Sequence, residues 1–237
     1  EEVESAAMYS KNLLLEMGYL PAVQDENGIY DIYIANMSAG YYGVNVPEPN
    51  NASFMIIDNK YESANFGPIS GNDAMRVTVA HEFFHAIQRA YGTSAPDYYF
   101  MELSSVWFED VAYPEINDYV YWADAYLNNP EVGISEYGPF KEPVHDPGYA
   151  LGLFGHYLTK VYDEVENEQD GVIMRRIWHT ISNNSSDIGY VREAIDEVLS
   201  TTHNVSFADA WSDFNARNLF NGEFSNQYNH IYYYEDQ

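Results

Sequence analysis

The segment His81-Glu82-Phe83-Phe84-His85 has the pattern His-Glu-x-x-His, with two histidines four positions apart. On an α-helix, residues i and i+4 project from one face, so both imidazoles can bind a single metal ion. This spacing is typical of zinc, and Glu82 falls on nearly the same side, where its carboxylate can reach a zinc-bound water. The pattern therefore predicts His81 and His85 as zinc ligands and Glu82 as a catalytic base.

The surrounding residues predict a long helix with an apolar face. No Pro or Gly occurs from Ala74 to Tyr91, Ser70 begins an N-cap pattern with Asp73 three positions later, and Gly92 ends the helix. Apolar residues recur at three- and four-residue spacing, namely Met75, Val79, Phe83, Ala86, Ile87 and Ala90. Such a rigid support favours a metal site over the alternative that the two histidines simply pack beside a phenylalanine pair.

A catalytic zinc usually has three protein ligands, so a third must lie outside this segment. The extended pattern, with Gly three and His six positions after the second histidine, is excluded because Gln88 and Tyr91 stand there. Asp97 is one candidate, in a predicted turn after the helix. Glu102 and Glu109 are the others, 17 and 24 positions after His85 on a helix predicted from Asp97 to Ala112.

Between the two glutamates we prefer Glu102 as the third ligand. Seven residues is almost two helical turns, so both carboxylates lie on one face, roughly 10 Å apart along the axis, and only one can touch the metal. The shorter spacing leaves a tight turn that brings the two helices together antiparallel. Glu109 and Asp110 then become candidates to accept the outer N–H of a ligand histidine.

Two segments, residues 77–88 around the histidines and 101–110 around Glu102, resemble the gluzincin metallopeptidases, in which a second helix supplies a Glu ligand. More closely, they resemble a little-characterised family of secreted bacterial proteins classed as metallopeptidases. In that family the Glu matching Glu102 is the third zinc ligand. The Gly, Thr or Ser, and Ala that usually follow it are here Leu103, Ser104 and Ser105. The likeness extends from Gly18 to Gly222.

The resemblance implies an α+β, zincin-like fold that forms a single metallopeptidase catalytic domain over residues 1–237. An N-terminal α+β lobe, 1–92, would hold a small sheet and the zinc helix, and 93–237 would be mostly helical. Strands are predicted at 31–36 and 53–58, and further helices at 2–17, 119–127, 148–165, 170–182, 187–199 and 207–220. In gluzincins a strand upstream of the zinc helix forms the edge of the substrate cleft, which suggests Ala52–Met55 for that role. The alternative is that Ala52–Met55 belongs to an interior strand.

The resemblance also implies a side chain from the helical lobe that stabilises the oxyanion of the transition state, commonly Tyr or His. His145, Tyr149 and His156 are the candidates. We favour Tyr149, because it begins a predicted helix after the turn at Asp146-Pro147-Gly148. His156 lies seven positions further on the same predicted helix, hence on the same face, so the two are alternatives or partners.

Composition restricts the partners of this chain. It has 37 acidic and 10 basic residues, a formal charge of −27, and no cysteine. So negative a surface repels nucleic acid and anionic membranes. The expected substrate, a peptide or protein, is what the resemblance to metallopeptidases implies. The acidity would suit saline surroundings or bound cations. Calcium is considered at Asp25-Glu26-Asn27-Gly28, a predicted turn that has only a fragment of a calcium-binding loop.

Three classes of function are compatible with these features. A secreted zinc endopeptidase is preferred; the first residue is Glu1 and no signal-peptide pattern is present, which suggests a processed mature region. An aminopeptidase of related fold is disfavoured, since no Gly-x-Met-Glu-Asn type segment precedes His81. A binding module with a zinc site but no turnover is the third class, although Glu82 and the three expected ligands are all present.

Overall fold

A computed structural model describes residues 1–37, 41–61, 69–92, 98–130, 147–163, 171–183 and 191–219. Its helices and strands, in chain order, are α1 Glu2–Glu16, β1 Ile32–Ala35, β2 Gly43–Pro47, β3 Ser53–Asp58, α2 Gly71–Arg89, α3 Tyr98–Ala112, α4 Tyr119–Leu127, α5 Pro147–Ala150, α6 Gly152–Tyr162, α7 Val172–Asn183, α8 Val191–His203 and α9 Phe207–Asn218. A small sheet with many helices confirms the α+β class at that level of detail.

The chain divides into two compact units. One consists of Glu1–Thr93 with Ser104–Tyr121, and the other of Ser94–Leu103 with Trp122–Gln237. The strands, α1 and α2 belong to the first unit, and α5 to α9 belong to the second, while α3 and α4 have residues in both. In the part of the chain that the structure describes, no helix has both the length and the apolar character needed to cross a bilayer.

The sheet has three strands in the order β1-β3-β2. β1 runs parallel to β3 and β2 runs antiparallel to it, so Met55 on β3 lies opposite Ile32 on one side and Asn45 on the other. β3 is thus the central strand, the interior position considered as the alternative for Ala52–Met55, although β1 pairs with it only from Met55 onward. The role of Ala52–Met55 as the rim of a cleft stays a prediction. β2 was not expected, because Gly43, Asn45 and Pro47 are poor strand formers.

α2 is the central helix of the first unit. It begins after Ser70, whose backbone is extended but whose side chain makes no capping hydrogen bond, and Gly92 follows its end with a left-handed φ of 75°. Fourteen of its side chains, from Ala74 to Gln88, are buried. α1 packs along it, and Phe84 contacts both Tyr19 and Phe108 with ring centroids 5.1 and 5.2 Å apart. This burial, rather than capping, holds the helix in place.

The second unit packs its helices around aromatic side chains. Phe154 on α6 stacks on Tyr157 and meets Trp211 and Phe214 of α9, with centroids 5.1 to 5.7 Å apart. The single helix predicted at 148–165 is wrong, because α5 ends at Ala150 and α6 begins at Gly152. Leu151 between them has ψ near 3°, and Phe154 N–H bonds back to its carbonyl in a tighter turn.

Candidate metal centre

His81 and His85 lie one turn apart on α2, with their rings edge to face and centroids 4.7 Å apart. Glu102 lies on α3. One ligand atom from each of these three side chains comes within 4.8 Å of the other two. Both histidines are buried and Glu102 is half-buried, and within the described ranges this is the group of His, Asp and Glu side chains that could hold a metal ion.

Glu109 contacts His81 rather than joining the cluster. Its Oε1 lies 2.6 Å from His81 Nδ1, and both side chains are buried. Burial raises the pKa of the Glu109 carboxyl to about 8, although the hydrogen bond and charge of His81 act to lower it. In its ionised form the Glu109 carboxylate accepts the Nδ1–H of His81 and fixes the ring with its lone pair on Nε2.

The partner of His85 is Gln88, which stands where the extended zinc pattern would need a glycine. Gln88 Oε1 lies 2.8 Å from His85 Nδ1. The amide nitrogen of Gln88 donates to Ser104 Oγ at 3.1 Å and to Ser105 Oγ at 3.0 Å. The i,i+3 spacing of His85 and Gln88 is the signal that could have identified this contact, because such residues are neighbours on a helix.

The Nδ1 hydrogen bonds of His81 and His85 indicate which ring nitrogen would coordinate a metal. Each histidine uses Nδ1 in a hydrogen bond, which is compatible with metal coordination through Nε2. Two imidazole nitrogens and one carboxylate oxygen are the donor set of catalytic zinc sites with three protein ligands. The residues therefore fit a bound metal, and zinc as its identity stays a prediction.

Glu82 is buried on the same helix, next to β2. Its backbone carbonyl accepts a hydrogen bond from Asn45 Nδ2 at 3.3 Å, and Arg89 Nε donates to Asn45 Oδ1 at 2.7 Å. A Cβ added to Gly43 would lie 2.9 Å from Glu82 Cγ and 2.6 Å from Thr78 Cγ2. β2 thus approaches α2 so closely at Glu82 that a glycine is required there.

Tyr149 and His156 lie on different helices, α5 and α6, so the argument that one continuous helix puts them on the same face does not hold. Tyr149 is half-buried and its ring meets Trp122 edge to face at 5.2 Å. His156 is only 5% exposed. Burial, helped by the charge of Lys160, lowers the pKa of His156 to about 3. His156 is therefore neutral near pH 7.

The turn considered for calcium uses its own side chains internally. Both carboxylate oxygens of Asp25 accept from Asn27, one from its backbone N–H at 3.0 Å and one from its side chain at 2.8 Å. Gly28 adopts a left-handed φ of 76°. These contacts are those of a turn, and calcium there stays a prediction. Asp97 and His145, the other candidates from the sequence, lie outside the described residues.

The residues of this centre thus come from α2 and α3, with β2 next to Glu82. Comparison of the chain with protein-family models, with curated proteins and with solved structures found no match.

Proposed function

We propose that this protein is a secreted zinc metalloendopeptidase of the gluzincin type, with His81, His85 and Glu102 as the metal ligands. The observation that carries the proposal is the convergence of these three side chains to within 4.8 Å of one another. The resemblance of the two helices to gluzincins agrees with it. The buried Glu82, one position after the first ligand, supplies the group that such a reaction needs.

A zinc ion bound by these ligands would lower the pKa of a coordinated water toward neutrality and polarise the scissile carbonyl. Glu82 then acts as the general base: its carboxylate takes a proton from the attacking water and later delivers it to the leaving amine. Glu109 and Gln88 keep the two imidazoles in the tautomer whose lone pair lies on Nε2. Each step assigned to the protein is thus a proton transfer or the orientation of a ligand.

For the oxyanion we propose Tyr149 in preference to His156. A neutral, buried imidazole has little access to a substrate and carries no charge at neutral pH, whereas Tyr149 is partly exposed. A tyrosine hydroxyl can donate a hydrogen bond to developing negative charge. Replacing Tyr149 with Phe should therefore lower kcat and leave zinc content unchanged.

The deciding experiment measures both zinc content and peptide hydrolysis, in the wild-type protein and in the Glu82→Gln variant. Zinc is measured by elemental mass spectrometry, and activity on unfolded casein. We expect about one zinc per chain in both proteins, and a fall in kcat/KM of at least about 100-fold in the variant, which keeps the size of Glu82 but cannot take a proton.

Asp73→Asn is the matched control, a carboxylate-to-amide change at an exposed position in the first turn of α2. It should leave zinc content and activity unchanged. Activity that survives Glu82→Gln would refute the general-base role. Zinc binding without hydrolysis of any peptide would instead indicate a non-catalytic zinc module, and a folded wild type without zinc would refute the metal centre.

A further inference from the structure

Gln88 is completely buried at the end of α2, where a polar side chain needs hydrogen-bond partners. Its amide makes three hydrogen bonds, one through Oε1 to His85 Nδ1 and two through Nε2 to Ser104 and Ser105. It therefore connects a metal ligand on one helix to two hydroxyls on the other. An ordinary buried glutamine would stabilise the fold without this link to a ligand.

The carbonyl oxygen of the Gln88 amide determines the tautomer of His85. A carbonyl oxygen can only accept, so the 2.8 Å contact requires the proton of the neutral imidazole to lie on Nδ1. The lone pair is then on Nε2, which is the atom that would bind a metal. Without such a partner the ring can rotate and exchange tautomers, and part of its population would be unable to bind.

The nitrogen end of the amide fixes the orientation of Gln88 itself. Ser104 and Ser105 are two and three positions after Glu102 on α3, and both hydroxyls are buried. Ser105 Oγ also lies 3.4 Å from His85 Nδ1, close to the same hydrogen bond. The contacts of Gln88 thus tie His85 to the helix that provides the third ligand.

We propose that Gln88 is a positioning residue that, with Ser104 and Ser105, holds His85 in its metal-binding tautomer and orientation and thereby raises the metal affinity of the centre. The inference rests on the proposed function only in taking His85 as a ligand. It adds a second support beside Glu109, and it gives a role to the two serines that follow Glu102.

The test measures zinc affinity by competition with a chromophoric chelator. Gln88→Met keeps the side-chain length but loses the acceptor, and we expect its zinc affinity to fall about 10- to 100-fold. Gln88→Glu keeps an acceptor for the His85 N–H, and we expect its affinity to stay within about threefold of wild type, since carboxylates commonly support ligand histidines. The visible spectrum of the cobalt(II) protein should change in Gln88→Met and be restored in Gln88→Glu.

Tyr91→Phe is the control for a general loss of packing. It removes a partly buried 2.8 Å hydrogen bond, from Leu20 N–H to the Tyr91 hydroxyl, just beyond the end of the same helix. We expect it to lower the thermal midpoint of the metal-free protein and to leave zinc affinity and the cobalt spectrum unchanged. The Ser104→Ala, Ser105→Ala double variant should weaken zinc binding while leaving all three proposed ligands in place.

The outcomes separate this inference from the proposed function. If wild type binds zinc and Gln88→Met and the double serine variant bind it equally well, the positioning role is refuted and the metal centre stands. If Gln88→Met and Tyr91→Phe lose affinity alike, the effect is one of packing and the inference also fails. If wild type binds no zinc, the proposed function fails first.

Discussion

Glu102 and Glu109 are seven positions apart on α3, and their side chains have different neighbours. Glu102 converges with the two histidines, whereas Glu109 lies 2.6 Å from the Nδ1 of His81. Both are carboxylates on one helix face, so the difference arises from what lies opposite each. At the scale of residues, this pair provides a direct test of the centre.

We expect Glu102→Gln and Glu109→Gln to affect zinc unequally. Loss of a ligand should abolish stoichiometric zinc in the first variant. Loss of a supporting carboxylate should lower the affinity of the second by about 10- to 100-fold while leaving one zinc per chain at saturation. Equilibrium dialysis with elemental analysis measures both, and the reverse order would make Glu109 the third ligand.

The low pKa of His156 predicts that the folding stability of the protein depends on pH. Its pKa is lowered from 6.5 to about 3 by burial, so below pH 6.5 the unfolded chain binds a proton that the folded protein does not. The free energy of unfolding should therefore fall as the pH drops from 6.5 towards 3, by an amount of up to about 4 kcal/mol from this residue.

The contribution of His156 is isolated by comparison with His156→Gln, which does not titrate. Urea unfolding between about pH 4 and about pH 7 gives the free energies. The variant should show a flatter dependence than wild type, because carboxylate titration is common to both proteins. Parallel curves would show that His156 takes up its proton equally readily in the folded and unfolded states.

At the scale of elements, the contact between β2 and α2 constrains Glu82. Gly43 faces Thr78 and Glu82, and an added methyl would lie closer than 3.0 Å to each. Ile57 on β3 is a third neighbour, 3.0 Å from the same point. Asn45, two residues along β2, holds the backbone carbonyl of Glu82. The edge strand β2 therefore packs against α2 at Gly43 with no room for an added methyl group.

Gly43→Ala should destabilise the protein and also impair catalysis. Overpacking of a tight contact costs about 1 to 3 kcal/mol, and displacement of the Glu82 side chain should lower kcat without loss of zinc. Thr78→Ala removes the nearest clashing methyl, so the double variant should be more stable than the sum of the single changes predicts. Denaturant melts and casein hydrolysis report the two effects, and full stability and activity in Gly43→Ala would show that β2 adjusts freely.

At the scale of the whole molecule, charge is the dominant feature. With 37 acidic and 10 basic residues, the formal net charge is −27 at pH 7. Like charges repel in the compact state, and this repulsion opposes folding when the solution contains little salt. The ion pairs Arg76–Asp73 and Arg192–Glu193 are exposed and offset little of it.

We expect the thermal midpoint of the chain to rise with sodium chloride. The screening length shortens from about 10 Å at 0.1 M salt to about 3 Å at 1 M, which weakens repulsion between surface carboxylates. Calcium chloride at matched ionic strength serves as the comparison. Equal midpoints would indicate screening alone, a higher midpoint with calcium would indicate bound cations, and a midpoint independent of salt would contradict the prediction.

The local features of the centre were predictable from sequence because they depend on short-range geometry. The i,i+4 spacing of His81 and His85 determines that they share a face, and the absence of Pro and Gly together with apolar residues at three- and four-residue spacing predicts the helix. The preference for Glu102 over Glu109 followed from the length of the turn between two helices. Strand β3, a run of apolar residues, was predicted with the bounds that the structure has, 53–58.

The remaining features depend on contacts between residues distant in sequence, and those only the tertiary structure decides. Pairing of β2 with β3 puts β3 in the interior of the sheet, although Gly43–Pro47 has little strand propensity of its own. Gln88 joins His85 to Ser104 and Ser105 only because α2 and α3 pack together. The identities of single residues set the chemistry that is available, and long-range packing selects which of those groups meet.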